Sequence, residues 1–95
     1  MIQLTNNRTV VTAATSVEVL PANLRRVAVY VTNLSAAAVT IAKGVAAAVA
    51  NQGILLQTNS VWFETDSEGF KCWRGAIQVI GSAAGSVAIS ETSEA

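Results

Sequence analysis

Glu64, Asp66 and Glu68 stand at alternate positions and are followed by Gly69. Oxygen ligands at positions one, three and five with glycine at six are how a calcium-binding loop begins. The match ends there, because position twelve is Gly75, where a bidentate glutamate is required, and no helical pattern flanks the segment. A solvated turn between two strand-like runs, residues 60–64 and 70–73, accounts for the same carboxylates. Paired carboxylates also hydrolyse glycosides, but only when a cleft holds them on either side of the sugar bond. No segment reads as the wall of such a cleft.

Nucleophilic chemistry has few resources in this chain. The histidine count is 0, which removes the most frequent general base and metal ligand together. Serine and threonine hydroxyls are plentiful, yet the only side-chain amines available to activate them are Lys43 and Lys71. A Ser–Lys pair is the one enzymatic route left open. Cys72 is the single cysteine, so neither an intrachain disulfide nor a cysteine-rich zinc site is available. Within a strand-like stretch it reads as a small buried hydrophobe. The expectation is a protein that is not an enzyme and carries no metal and no cofactor.

The residues better suited to binding are aromatic and guanidinium groups. Trp62 and Trp73 flank the acidic turn, and a hairpin there would make them cross-strand neighbours. They are either a core or sheet-face contact or an exposed platform, used as an interface anchor or a sugar-stacking surface. Arg74 follows Trp73 directly, which favours an interface among the functional readings. Arg25 and Arg26 follow the Pro21-Ala22-Asn23-Leu24 turn. They mark either a solvated strand end or a guanidinium fork that reaches a carboxylate on a neighbouring subunit.

The elements that must position these groups are strands. Val27, Val29 and Val31 alternate with Ala28, Tyr30 and Thr32, so one face is apolar and the other mixed. Residues 9–13, 16–20, 26–33, 38–43, 53–56, 60–64, 70–73, 76–80 and 86–91 all read as strands, separated by turn residues. Pro21 breaks the ladder after the second run. Residues 45–50 are too short for a stable helix and lie between Gly44 and Gly53, so they read as a loop that lays alanines against a neighbour. Strands spaced about ten residues apart predict an all-β fold: a single small antiparallel β-sandwich, jelly-roll-like. Residues 1–8 are expected to form a short extended N-terminal arm, residues 9–91 the sandwich, and residues 92–95 a polar C-terminal tail.

Composition narrows the class of partner. The chain has 95 residues, enough for one domain. Charged residues make up 13%, against about 25% in an ordinary soluble domain. Such a surface has little charge to solvate it, which points to burial against other subunits. Six basic residues balance six acidic ones with no basic stripe, so nucleic-acid binding is not expected. No apolar run reaches the length of a membrane span, and MIQLTNNRTV lacks the basic start and apolar block of a secretory signal. The expectation is a soluble protein made in the cytoplasm, with no membrane partner.

The run VEVLPANLRRVAVYVTNLSAAAVTIAKG, with the later NQGILLQTNSVWFET and AIQVIGSAAGSVAISE, resembles small structural proteins of tailed bacteriophages. The resemblance rests on the LPAN-x-RR element at residues 20–26, the following strand through Ser35, the G-x-L-L element at residues 53–56, and V-A-I-S-E at residues 87–91. It implies a virion structural protein, foremost a capsid decoration or cement protein on the outer phage head. The implied partners are the major capsid protein and further copies of itself in a homotrimer. It also implies synthesis in the host cytoplasm and residence on the capsid surface. A tail, neck or fibre-base component is the alternative within that class. A small carbohydrate-binding module that uses Trp62 and Trp73 is the alternative from another. The residues expected at the interface are Ile2, Leu4, Leu24, Arg25, Arg26, Trp62, Trp73 and Arg74, with the arm pairing against a neighbour's edge strand.

Overall fold

The computed structural model of the chain describes residues 2–94. Its eight strands are β1 (Ile2–Val11), β2 (Val17–Leu20), β3 (Arg26–Asn33), β4 (Val39–Lys43), β5 (Ile54–Leu56), β6 (Val61–Thr65), β7 (Ile77–Gly81) and β8 (Gly85–Glu94). β1 pairs with β8, β2 with β7, β3 with β6 and β4 with β5, all antiparallel. This is the pairing of one long hairpin folded over on itself. The β3–β8 and β4–β7 ladders then complete two four-stranded sheets, β1-β8-β3-β6 and β2-β7-β4-β5. The chain is therefore an all-β antiparallel sandwich with jelly-roll strand order, as the strand spacing predicts.

Valine and isoleucine explain why the sheets close. Val11, Val19, Val29, Val31, Val39, Ile41, Leu56, Ile77, Val79, Val87 and Ile89 form the buried layer between them. All but Leu56 are β-branched, stiff at χ1 and suited to a pleated surface. Each fully buried side chain of this size contributes roughly 1.5–3 kcal/mol.

The two outer faces differ. Thr40 and Gln78 lie on the outer side of β2-β7-β4-β5 and are still buried. The loop over residues 44–53 covers them: Asn51 N–H donates to Thr40 Oγ1 at 3.0 Å, and Gln78 Nε2 donates to the Gly44 carbonyl at 3.3 Å. Ala48 is buried in the same loop, and its N–H donates to Ser16 Oγ at 2.8 Å. The alanine loop expected to meet a neighbour thus covers the middle of its own sheet, although Val45, Val49 and Leu55 stay exposed.

Three expected boundaries shift. The arm over residues 1–8 and the strand over 9–13 are one continuous element, with ten consecutive residues paired to β8 from Ile2↔Glu94 to Val11↔Gly85. Backbone pairing carries the polar Asn6-Asn7 step, since strands accept polar side chains wherever both faces are wet. Thr92, Ser93 and Glu94 belong to β8 and are no tail. Met1 and Ala95, the outermost residues of the expected arm and tail, lie outside the described residues. Residues 70–73 form no strand. A tight turn closes between Ser67 and Phe70, whose N–H groups donate to each other's carbonyls at 3.0 and 3.1 Å, and the chain beyond runs irregularly.

Candidate functional site

A β-bulge sets the chemistry at one end of the sandwich. Arg26 pairs with Ser93 and Ala28 with Thr92, so Val27 is an extra residue in β3. A bulge re-aims the side chains beyond it. Here it turns Arg26, rather than Val27, to the inner side occupied by Val29, Val31 and Asn33. Arg26 is 0% exposed. Its Nε donates to Glu91 Oε2 at 2.6 Å, Nη1 to the carbonyls of Trp73 and Gly75 at 2.9 Å each, and Nη2 to the Pro21 carbonyl at 2.9 Å. The fork does reach a carboxylate, but one on its own chain. Arg26 is a buried structural residue and not an interface residue, because the bulge inverts its facing.

The guanidinium anchors the segment that follows β6. Glu64 Oε1 accepts from Trp73 N–H and Asp66 Oδ1 from Cys72 N–H, both at 2.8 Å. Side-chain oxygens thereby replace the ladder that a strand over residues 70–73 would have needed. Arg74 Nη2 donates to Asp66 Oδ2 at 2.7 Å, and its Nε to the Arg26 carbonyl at 2.8 Å. Lys43 Nζ pairs with Glu64 and sits 5.8 Å from the Trp62 ring centre and 6.0 Å from that of Trp73, within cation–π range. The Cys72 N–H, with Arg74 and Lys71 assisting against partial desolvation, holds the Asp66 carboxyl below its ordinary range. Burial, with Asp66 assisting, pushes the Cys72 thiol up and keeps it protonated at neutral pH.

Two of the three alternating carboxylates are thus consumed by backbone N–H groups and cations of their own chain. Among the described residues no group of three or more His, Cys, Asp and Glu is placed to hold a metal ion. Trp62 and Trp73 both border Lys43 Nζ, but Trp62 pairs with Val31 on β3 and no hairpin makes the two tryptophans cross-strand neighbours. Both are half-buried against the core, and Trp73 Nε1 donates to the Ala76 carbonyl at 2.9 Å. They are packing residues, not a free platform. Arg74 is partly covered and bound to Asp66. Of the expected interface set, Ile2, Leu4, Leu24 and Arg25 remain exposed, with Leu24 at 86%.

The open aromatic surface lies elsewhere, on the outer face of β1-β8-β3-β6. Tyr30 and Phe63 oppose each other on β3 and β6 and stack with ring centres 5.4 Å apart. Phe63 is 56% exposed. Register places Ala28, Thr32, Val61 and Thr65 beside them, then Ser86, Ala88, Ser90 and Thr92 on β8, and Leu4, Asn6, Arg8 and Val10 on β1. Arg8 and Glu94 supply the charges on this face. A sequence signal existed: the even-numbered residues of β3 are the complement of its apolar stripe, and Tyr30 is among them. Comparison with protein-family models, curated proteins and solved structures finds no match to this chain.

Proposed function

We propose that this protein is a virion structural component, a phage capsid decoration protein that seats the outer face of β1-β8-β3-β6 on shell subunits. The observation that carries the reading is the contrast between the two sheets. One outer face is partly covered by the chain's own loop over residues 44–53, which buries Thr40 and Gln78 but leaves Leu55 exposed, while the other shows a stacked Tyr30–Phe63 pair among small residues with little charge. A face of that composition loses little hydration when covered and gains about 25 cal/mol for each Å² of apolar surface removed from water. Contacts spanning adjacent shell proteins, the major capsid protein foremost, would resist outward pressure by burial alone. The resemblance of LPANLRR and of the later strands to small phage structural proteins agrees with this role. A carbohydrate-binding module built on Trp62 and Trp73 has less to stand on, since both are half-buried against the core.

Co-sedimentation of the purified protein with intact phage particles and with isolated heads and tails tests the reading. Saturable binding to heads is expected, and Phe63→Arg should abolish it while the circular dichroism spectrum stays unchanged. Binding to tails alone would move the protein to the tail, neck or fibre base. Binding to glycans with no particle binding would overturn the structural role altogether.

A further inference from the structure

β1 has a second unpartnered feature, its edge. Residues 2–8 are exposed on both faces and are held by the ladder to β8. β1 ends its sheet, so the opposite edge offers unpaired backbone groups. Natural edges are usually interrupted by proline, lysine or a bulge. This one keeps an unshifted register through all ten residues, with Arg8 as its single charge. The Arg8 N–H donates to the exposed Asn7 Oδ1 at 2.8 Å, a side-chain oxygen standing where a partner strand's carbonyl would sit. Backbone groups alternate direction along a strand. Ile2, Leu4 and Asn6 therefore present their N–H and C=O groups to the same open edge as Arg8.

The geometry points to a second copy of this chain as the occupant, with β1 paired antiparallel to β1 across a two-fold axis at Thr5. Residues 2–8 are the doubly exposed segment, and Thr5 is its centre. In that register Ile2 faces Arg8 of the second copy and Leu4 faces Asn6, each pair exchanging two backbone bonds, about eight in all. On the opposite face Gln3 meets Asn7 and Thr5 meets its own equivalent, an amide pair and a Thr–Thr pair of the kind that stabilises sheets. The two four-stranded sheets become one of eight. Charge fits the same register. Glu94 lies directly across from Ile2 on β8, so Arg8 of one copy reaches over Ile2 of the other toward Glu94, twice per dimer. Within a single chain these two residues lie six ladder positions apart, roughly 20 Å. They can couple only between copies.

This inference does not depend on the decoration role, and it sets a two-fold pair against the three-protomer assembly implied by the resemblance. Light scattering on a sizing column across a dilution series should show two protomers giving way to one. Arg8→Glu and Glu94→Arg should each weaken the dimer roughly tenfold, and the double variant should restore it. Thr5→Cys should form a covalent dimer on oxidation, while Val10→Cys, outside the paired segment, should not; the buried Cys72 stays silent. A monomer at every concentration, a mass of three protomers, or single charge reversals that the double variant does not rescue would each overturn it. Particle binding is measured separately, so loss of one property leaves the other legible.

Discussion

Replacing Arg26 with alanine tests the account of the sandwich end most directly. The guanidinium is fully buried and donates four bonds, to Glu91 and to the carbonyls of Pro21, Trp73 and Gly75. Alanine would leave a largely covered carboxylate without its cation and three carbonyls without their donor. Removing one partner of a buried ion pair costs about 3–5 kcal/mol. A domain of this size has roughly 5–14 kcal/mol in total, so the loss is a large fraction of it. Unfolding entropy near the midpoint is about 0.2 kcal/mol/K for a chain of this length, which converts the loss to about 15–25 °C in melting temperature. Calorimetry or a circular dichroism melt reads that shift. Arg26→Lys should recover only part of it, because one ammonium cannot span the acceptors of a planar fork. Arg25→Ala, on the exposed neighbour, should change stability by less than about 0.5 kcal/mol. If Arg26→Ala costs no more than Arg25→Ala, the bulge and the inward fork are wrong.

Two further perturbations follow from the same region and from the opposite sheet. The Asp66 carboxyl is held below its ordinary 3.8, so its contribution is complete above that value and fades as the pH falls through the lowered one. Melts taken from neutral pH downward should therefore show the native protein losing stability below about pH 4; Asp66→Asn should be less stable at neutral pH and flatter in the acid window, and parallel curves would refute the assignment. Gly53 has φ +148, and a Cβ there would lie 2.5 Å from the Ile41 carbonyl oxygen. Gly53→Ala should cost at least about 1–3 kcal/mol by denaturant unfolding. Gly44→Ala, where φ is +125 in open space, should cost less.

Most of the framework was readable because it follows from period. The alternation of Val27, Val29 and Val31, the Pro21 break and the turn residues placed seven of the eight strands close to their observed bounds. β1 divides into an arm and a strand on sequence because residues 2–8 form a strand wet on both faces, which carries no hydrophobic alternation to recognise. Residues 70–73 failed for the opposite reason. Phe70, Cys72 and Trp73 have strand propensity, but Phe70 is held in a tight turn by Ser67, and the backbone of Cys72 and Trp73 is satisfied by Asp66, Glu64 and Arg26, which are side-chain partners that local pattern does not encode. The inward facing of Arg26 is not legible because one extra residue in a ladder reverses facing, and nothing in LRRVAV marks Val27 as the extra residue.

The scarcity of charge acquires a different meaning once its distribution is known. Arg26, Lys43, Glu64, Asp66, Lys71, Arg74 and Glu91, seven of the twelve charged residues, lie in ion pairs that fasten the segment after β6 to one end of the sandwich. Five are left to solvate everything else. The low overall count is therefore not in itself a sign of interface, since a structural cluster absorbs most of it. The sign is where the remainder falls. Glu94 opens the β1–β8 ladder and Arg8 lies six positions along it opposite Ala88, and the rest of that outer face carries Leu4, Ala28, Tyr30, Val61 and Phe63 with no further charge. The two charges on that sheet's outer face, Arg8 and Glu94, are the ones that the proposed face and edge contacts would have to accommodate.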